Sequence, residues 1–545
     1  MRLPAAIAPL RHPLFRMLWS ANVVVSLGVW MQNTGAGWLM TTLQPDPFTV
    51  SMVQAATIMP VFLLALPAGA LADIIDKRRL ILGTQSWMLA AAATLAVLTY
   101  FGATGAVGLL ALTFAIGVGS AMNSPAWGSV MAEVVPRHDL VQAIALNGVG
   151  FNLARAVGPA MAGALVLAGG PALAFALNAI SYTAVIVALL TWHRRHRRSA
   201  LPREHFLGAM RVGMRFMRHA PVMRAAMFRS AAFFGPCSAP WALLPLVVKL
   251  QLGLGAGTFG ALLGLMGVGG VTAGMLLPQA RAVLSRGNTV LISTLLSSTG
   301  IVILAFSRHW LPAAVAMLIF GVGWVAASSV AQGAAQLAAP PWVRSRGLSL
   351  YQLASNGAMV AGSFFWGWLG GKIGLSMTML AAAGTALALG AVARYFDIDA
   401  EPFPITTRTR LPDPPEPEAV APELADVVAG TRGRILESQK YWIDPTRRAE
   451  FLTVMAEVRD VRGRCGADGW QLYEDLAHPQ GWLELWSVES WSDHLREAAR
   501  MSEADRAALG RALAFNVDEP QPPSRHLAVA PYRLAARGGL TRPAA

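Results

Sequence analysis

Between two long apolar runs the sequence reads Gly69-Ala70-Leu71-Ala72-Asp73-Ile74-Ile75-Asp76-Lys77-Arg78-Arg79. Charged side chains cluster in this short stretch, whereas the runs that flank and overlap it, residues 50–74 and 79–101, are predominantly apolar. An apolar run of about 20 residues is long enough to cross the hydrocarbon core of a bilayer as a helix. The stretch therefore predicts a loop at a membrane surface between two spanning helices.

Composition extends this prediction to most of the chain. The 545 residues are 54% hydrophobic and only 14% charged, whereas a soluble domain carries about 25% charged residues. Only six of the 30 acidic residues precede Asp397, so an acid-poor apolar body is followed by a normally charged tail. The net charge of +14 lies largely in loops, where membrane topology and anionic lipid explain it without nucleic-acid binding.

Counting apolar runs predicts an all-α polytopic membrane protein with 12 transmembrane helices in two six-helix halves. The predicted spans are 14–40, 50–74, 79–101, 106–132, 140–168, 172–192, 230–252, 257–281, 287–306, 310–335, 344–371 and 374–395. The central stretch between the halves is either an amphipathic surface helix or a solvated linker.

The distribution of Lys and Arg predicts the orientation of these helices. One set of alternate loops holds 18 Lys and Arg residues, and the other holds three, Lys249, Arg308 and Lys372. Basic residues accumulate in cytoplasmic loops. We therefore expect an inner-membrane protein with both termini and the central loop in the cytoplasm.

The stretch between spans two and three resembles the signature of the major facilitator superfamily, roughly G-x-L-x-D-R-x-G-R-R. Ile74 and Asp76 depart from it. The resemblance implies a conformational latch between the two halves, with Asp73 facing the start of span eleven near Arg344. The alternative is that Asp73 caps a helix end and the basic cluster only sets topology. The predicted latch residues are Gly69, Asp73, Lys77 and Arg78.

Span five carries a second motif, which contains Gly158, Pro159 and Gly163. It resembles the glycine–proline motif of exporters in the same superfamily and implies an antiporter. Proline removes a backbone hydrogen bond and bends a helix, and glycine permits close helix packing. Simple packing in a glycine-rich bundle is the alternative interpretation of this helix-bend motif.

Arg155 lies about 15 residues into span five, which places its charge near the middle of the membrane. A charge at this depth normally faces the bundle interior or a water-filled cavity. It either binds an anionic group of a substrate or bonds to backbone carbonyls near Pro159. Neutral polar residues of the spans are further candidates for a cavity lining, together with Trp and Met; those selected are Asn33, Asn123, Asn152, Asn178, Gln332 and Asn356. Each alone is better explained as an interhelical hydrogen bond.

The sequence lacks the motifs of several other functions. There is no G-x-x-x-x-G-K-[ST] motif for ATP-driven pumping, and the two cysteines, Cys237 and Cys465, indicate no disulfide framework or metal site. No cofactor is predicted. Proton coupling is implied by the family resemblance, but no acid occurs between Ser230 and Phe396 to sense the gradient.

The C-terminal region is predicted to be soluble. A Pro- and acid-rich linker leads into strand, helix, strand, strand, helix, helix and strand patterns. Their order, with Ser490-Trp491-Ser492-Asp493-His494-Leu495-Arg496, resembles an antibiotic-biosynthesis-monooxygenase-like domain of ferredoxin-like α+β fold. Exporters of the enterobactin-exporter and transmembrane secretion effector branch carry such tails. The predicted segments are 1–192 and 230–396 for the two halves, 193–229 for the basic loop, 397–429 for the linker, 430–532 for the soluble domain and 533–545 for the tail.

The soluble domain offers few chemical groups. Trp442, Trp491 and His494 are candidates for a pocket, but a hydrophobic core and a dimer face explain them better. Cys465 lies beside Arg462 and Arg464, whose charges lower a thiol pKa, yet without a placed base it is a poor nucleophile. The resemblance also implies a homodimer through this domain.

The sequence therefore predicts a secondary active transporter, not an enzyme, that exports a small amphipathic molecule such as a drug, siderophore or other secondary metabolite by alternating access. Its partners are the lipid bilayer, the substrate and the proton, without nucleic acid. One alternative is a membrane-anchored enzyme or ligand sensor whose tail is the active part. Another is an uptake transporter of the same fold.

Overall fold

The computed structural model describes residues 5–192, 214, 216–218, 220–339, 343–399, 434–491, 494, 497, 500–517 and 523–527. The side chains of some helical residues, including Asp73 and Glu133, and the surroundings of Gly69 lie outside this description. Contacts divide the chain into two compact units. The first comprises residues 1–202, 225–336 and 348–399, and the second comprises residues 203–224, 337–347 and 400–545.

The described part of the chain up to Ala393 is largely helical. Eleven long helices are described: α1 (Pro13–Leu43), α2 (Pro47–Ile74), α3 (Lys77–Tyr100), α4 (Ala106–Val134), α5 (Leu140–Thr191), α6 (Pro221–Leu246), α7 (Ala256–Val283), α8 (Arg286–Phe306), α9 (Trp310–Ala338), α10 (Arg344–Ile373) and α11 (Leu375–Ala393). A π-helical turn, Val247–Gln251, follows α6, and short 3-10 helices span Ala5–Arg11 and Arg137–Asp139.

Ten of the described helices are long and apolar enough to cross a membrane. Helix α5 has 52 residues, roughly 75 Å at 1.5 Å per residue, more than twice the thickness of the hydrocarbon core. Its backbone leaves the helical conformation at Gly169 and at Gly170, where φ is 77°. The 30-residue helix α10 is not among the ten.

Helix ends follow from local sequence. Asp46 accepts a hydrogen bond from the Thr49 backbone at 2.9 Å and caps α2, and Asp76 accepts from the Arg79 backbone at 3.0 Å and caps α3. Most helices begin and end within three residues of their predicted limits. Helix α6 is an exception, because it begins at Pro221 instead of residue 230. Of the predicted central loop, residues 193–213, 215 and 219 lie outside the described residues.

The first unit is apolar on its outside as well as inside. Leu153 is 52% exposed and Ile180 is 62% exposed, although both lie in the middle of the two helical runs of α5. Water would penalise such surfaces, whereas lipid does not. A multi-pass membrane protein is therefore the architecture that this unit supports.

The second unit contains a four-stranded antiparallel sheet. Its strands are β1 (Ile435–Trp442), β2 (Asp468–Glu474), β3 (Gly481–Val488) and β4 (Ser524–Leu527), in the order β2-β3-β1-β4. Helices α12 (Arg448–Cys465) and α13 (Glu503–Leu513) follow β1 and β3 in the chain. Strand β1 alternates between buried and more exposed residues, so one face of the sheet is covered and the other is open. These elements match six of the seven predicted strands and helices; the first of the two helices predicted after β3 lies mostly outside the described residues.

Candidate functional site

A cavity of ≈ 40 Å³ lies among four helices, two from each predicted half of the membrane unit. Its lining includes Trp30, Asn33 and Thr34 of α1, Gln54 and Thr57 of α2, Trp241 of α6, and Phe259 and Leu263 of α7. This volume accommodates a few water molecules, whereas pockets for drug-sized ligands have volumes of about 300–1,000 Å³. A substrate would fit only when the two sets of helices move apart.

Three aromatic side chains, Trp30, Trp241 and Phe259, contribute to the apolar wall. The ring centroid of Trp30 lies 6.0 Å from that of Trp241 and 6.2 Å from that of Phe151 on α5. Trp241 in turn lies 5.4 Å from Trp324 on α9. The rings therefore form a continuous aromatic surface across helices of both predicted halves.

Polar groups on this wall retain hydrogen-bonding capacity. The hydroxyls of Thr34 and Thr57 donate to carbonyls of their own helices at 2.9 Å, but the amides of Asn33 and Gln54 have no hydrogen-bond partner among the described residues. The buried indole N–H of Trp241 also has no acceptor there. A ligand with an aromatic core and polar substituents would provide hydrogen-bond partners for these groups.

Arg155 lies on the face of α5 that packs against Trp30, one of the lining residues. Phe151, Arg155 and Gly158 follow each other at helical spacing on one face of α5. Phe151 contacts the ring of Trp30, and a β-carbon built at Gly158 would lie 2.6 Å from the Trp30 β-carbon. Arg155 lies between these two contacts, is half-buried and donates to Asn152 Oδ1 at 2.8 Å.

The predicted cavity residues have different environments. Asn33 lines the cavity, and Asn152 holds Arg155. Asn178 is fully buried and donates to Gln32 at 3.3 Å, so it joins two helices of the first half instead of facing the cavity. Asn123 accepts from Thr84 at 3.3 Å. Of the remaining two, Gln332 is exposed and Asn356 is half-buried.

The predicted helix-bend motif forms a helix–helix interface. Backbone dihedral angles remain helical through Pro159, and the break in α5 comes at Gly169 and Gly170. A β-carbon built at Gly260 of α7 would lie 2.3 Å from the Pro159 carbonyl oxygen and 2.8 Å from Gly163 Cα. Gly158 packs instead against Trp30 of α1. The motif therefore brings α5 against both α1 and α7.

The predicted latch is described only in part. The surroundings of Gly69 and the side chain of Asp73 lie outside the description. Arg78 donates to the carbonyl oxygens of Leu189 at 2.8 Å and Leu190 at 3.0 Å, which binds α3 to the carboxyl end of α5. Cations are stabilised at this end of a helix. Lys77 is the first residue of α3 and follows the cap Asp76.

The cavity wall contains residues that sequence reasoning did not select individually. Trp30, Trp241 and Phe259 are ordinary members of apolar runs, and their pairing across helices depends on tertiary packing. The sequence signal for this aromatic wall was the abundance of tryptophan, with 17 residues in the chain. It indicated an aromatic lining but did not identify the positions.

The second unit contains a buried cluster of ionisable groups on the covered face of its sheet. Arg462 donates to Glu484 and to Glu497, each at 3.1 Å, and its guanidinium lies 3.5 Å from the ring centroid of Trp486. Glu484 also accepts from Tyr441 at 2.8 Å and from Trp470 at 2.9 Å. Arg462 and Glu484 are therefore paired with good geometry inside the domain.

Glu437 and His494 extend the same cluster. His494 Nδ1 lies 2.8 Å from Glu437 Oε1, and ligand atoms of Glu437, His494 and Glu497 all lie within 4.8 Å of one another. Such a group of donors can hold a metal ion. Here Glu437 already binds His494 and Glu497 already binds Arg462, so the three side chains are accounted for as an ion cluster.

Burial and partners move the pKa values in this unit in different directions. Burial alone raises the pKa of Glu437, but the His494 hydrogen bond and the nearby cations lower it below the ordinary value. Burial raises the pKa of Glu497, which Arg462 only partly offsets. Burial, with Asp505 and Glu497, also raises the pKa of the Cys465 thiol, so the predicted lowering by Arg462 and Arg464 is outweighed.

The predicted tail pocket is divided by the sheet. Trp491 and His494 lie together, with ring centroids 4.9 Å apart. Trp442 is 40% exposed and lies on the opposite face of β1 from Glu437, the residue that binds His494. The three residues therefore do not form one pocket. His494 is buried, so it belongs to the domain interior and not to the surface.

Comparison with protein families and curated proteins identifies similar sequences. A profile described as "Transmembrane secretion effector" matches residues 4–532. The staphyloferrin A transporter of Staphylococcus aureus (strain NCTC 8325 / PS 47) is 23% identical over 295 residues, 54% of this chain and 74% of that protein. An uncharacterized MFS-type transporter of Bacillus subtilis (strain 168), YfiS, is 24% identical over 228 residues, 39% of this chain and 53% of that protein.

Solved structures show the same fold. A bacterial homolog of the human lysosomal transporter Spinster, in an inward-facing and occupied conformation, matches with TM-score 0.59 at 13% identity, over 72% of this chain and 98% of that one. A bacterial homologue of the iron transporter ferroportin, in an inward-facing state, matches with TM-score 0.55 at 16% identity, over 70% and 98%.

Proposed function

Because the chain belongs to the transmembrane secretion effector family, whose profile matches residues 4–532, we propose that it exports a small amphipathic molecule by alternating access. The family is one of major facilitator membrane transporters and not of enzymes. We include twelve crossings in the proposal: the ten described spans, a second crossing from the break in α5, and α10.

The cavity between α1, α2, α6 and α7 is the observation that carries this proposal. Its aromatic residues fit the apolar part of a substrate, and the groups of Asn33, Gln54 and Trp241, which have no partner among the described residues, fit polar substituents. A midplane cavity between two halves is where secondary transporters bind their substrates.

Arg155 supports an anionic group on the substrate. A cation at this depth is stabilised by an anion or by polar contacts, and its recorded side-chain partner is the neutral amide of Asn152. The relative described as a staphyloferrin A transporter supports a siderophore as the substrate class. A drug or another secondary metabolite with an acidic group fits the same features.

Direction and energy source are further parts of the proposal. Export is supported by the family description as a secretion effector. Proton-driven antiport is proposed from the superfamily resemblance. The second half has no carboxylate that could bind the proton, since Ser230–Phe396 contains no acid. The predicted inner-membrane location with cytoplasmic termini rests on the distribution of Lys and Arg.

The latch is also kept as a proposal. Asp73 lies in the last turn of α2, and the superfamily signature gives this carboxylate a role in holding the two halves. The variant Asp73→Asn should slow transport without unfolding the bundle. Asp76→Asn is its matched control, because Asp76 caps α3 and lies three residues further on. Equal turnover of Asp73→Asn and the wild type would leave Asp73 as a helix cap.

Two copies of the chain are proposed to pair through the C-terminal sheet. Leu436 and Trp442 of β1 and Tyr473 of β2 are exposed on the strands of this sheet, and the antiparallel order β2-β3-β1-β4 is that of the ferredoxin-like motif. Cross-linking of the full chain in membranes tests this, with Trp442→Asp expected to reduce the dimer fraction.

The proposed transport is tested first by comparing metabolites and drug tolerance of cells with and without the protein. Compounds that accumulate without it are then offered to inside-out vesicles with an acidic lumen. Export predicts uptake into these vesicles that collapses with the proton gradient. A variant lacking residues 430–545 separates the transporter from the tail: loss of all transport would favour the tail as the active part.

A further inference from the structure

Helices α5 and α7 meet through small residues along one line. A β-carbon built at Gly267 would lie 2.4 Å from Ala156 Cα, and one built at Gly260 would lie 2.3 Å from the Pro159 carbonyl oxygen. Contacts below 3.0 Å do not occur between real atoms of this kind, so neither position has room for a side chain. The backbones of the two predicted halves are therefore in direct contact along this line.

Gly270 continues this line but faces a charged side chain. A β-carbon at Gly270 would lie 2.6 Å from Nη2 of Arg155 and 2.7 Å from Cγ2 of Val325 on α9. The guanidinium thus occupies the space that a side chain on α7 would fill. Arg155 extends from the first half into a slot formed by two helices of the second half, which we call the Gly270 slot.

The slot and Asn152 together orient the guanidinium. Nη2 donates to Asn152 Oδ1 at 2.8 Å while it lies against Gly270. A guanidinium has five N–H donors in a fixed planar fork, and Asn152 uses one of them. Arg155 is only half-buried, so other donors remain accessible for a bidentate carboxylate.

We propose that Gly270 is a positioning residue for anion binding: the missing β-carbon lets Arg155 of the first half present its guanidinium from a slot in the second half. The inference rests on the proposed function and specifies how Arg155, the cation proposed to bind the substrate, is held in place. Because the slot belongs to one half and the arginine to the other, affinity for an anionic substrate depends on how the two halves approach each other.

The substitution Gly270→Ala tests this role, with Gly274→Ala as the matched control. Gly274 lies on α7 one turn further, and a β-carbon there meets no atom within 4 Å. The full chain in lipid nanodiscs is dialysed against dansylglycine and against its neutral amide, which share an aromatic group and differ in charge. Empty nanodiscs correct for partitioning into lipid.

We expect the wild type to prefer the carboxylate over the amide, and Gly270→Ala to lower this preference by about tenfold, the lower end of the range for a hydrogen bond to a charged group. Gly274→Ala should leave it unchanged. Arg155→Gln should abolish it, and Gly270→Ala should then have no further effect. A Gly270→Ala variant that retains the wild-type preference would overturn the proposal.

Thermal unfolding tests the position of Arg155 without a ligand. Gly270→Ala should lower the Tm by roughly 2–4 °C, and by less in an Arg155→Ala background, because part of the steric conflict is removed. Additive effects would contradict the slot. If the wild type does not distinguish the two probes, anion binding by Arg155 is wrong, whereas uptake into inside-out vesicles would still establish transport.

Discussion

Nζ of Lys249 lies 2.5 Å from the carbonyl oxygen of Thr41 and joins the π-helical turn after α6 to the last turn of α1. The carbonyls at the carboxyl end of a helix carry partial negative charge, which a cation stabilises. Gln251 fixes the same turn on the side of the second half, since it donates to Leu304, Ala305 and Ser307 carbonyl oxygens. Lys249 therefore holds the two halves together at the end of the bundle that carries the α1–α2 turn.

Lys249→Met should favour opening at this end. Loss of one hydrogen bond from a charged group is expected to shift the open-to-closed ratio about tenfold. Spin labels at Leu43 and Leu250, both exposed, report the separation. Labelling is helped by the burial of both natural cysteines, Cys237 and Cys465.

Lys372→Met is the control for this variant. Lys372 is exposed near the carboxyl end of α10 and has no partner among the described residues. Lys372→Met removes a lysine charge, as Lys249→Met does, but leaves the contact between Lys249 and Thr41 in place. Identical distance distributions for the wild type and Lys249→Met would show that Lys249 does not hold this end closed.

Gly260→Ala should destabilise the membrane unit, because its β-carbon would meet the Pro159 carbonyl oxygen at 2.3 Å. Forcing an extra methyl group into a packed interface costs about 1–3 kcal/mol. Gly257→Ala is a close control, since a β-carbon at Gly257 meets no atom within 4 Å. Thermal unfolding in detergent compares the two variants, and equal melting temperatures would refute the close contact of α5 with α7.

The sequence predicted the helices better than it predicted their faces. The ends of α8 and α11 agree with the predicted spans within two residues, because apolar length and turn residues are local signals. Asn33 and Asn178 looked equivalent, since both interrupt apolar runs. Which asparagine faces the cavity depends on the rotation of each helix in the bundle, and a membrane helix that is apolar on all sides carries little periodic signal.

The Arg155 environment shows the same limit. Its depth and charge marked it from sequence alone, but the Gly270 slot brings together residues 115 positions apart. The alternating pattern of β1 predicted a strand, whereas the separation of Trp442 from His494 followed only from knowing which face α12 and α13 cover. Contacts between distant segments are set by tertiary packing, which local patterns do not encode.

Arg462→Met should strongly destabilise the second unit. It removes the cation that pairs with Glu484 and Glu497 and leaves their buried charges uncompensated. Breaking one side of a buried ion pair costs about 3–5 kcal/mol. Arg459→Met is the control, because Arg459 is 53% exposed and its pair with Asp460 is at the surface. Hydrogen exchange of the β3 amides in the full chain measures the difference, and similar protection in both variants would contradict a stabilising role of the cluster.

The pH dependence of this unit should reflect Glu497. Burial raises its pKa in the folded state above the unfolded value of about 4.3, so the folded state binds the proton more tightly. The free energy of unfolding therefore falls as pH rises from the unfolded to the folded pKa. Glu437 acts oppositely: its lowered pKa gives stability that is lost only as pH falls through the folded value.

In calorimetric scans, Glu497→Gln should flatten the decrease in the free energy of unfolding above about pH 4.3. The control Glu450→Gln should not, because the Glu450 side chain is 66% exposed. An unchanged slope in Glu497→Gln would mean that the buried carboxylate does not hold its proton in the folded domain.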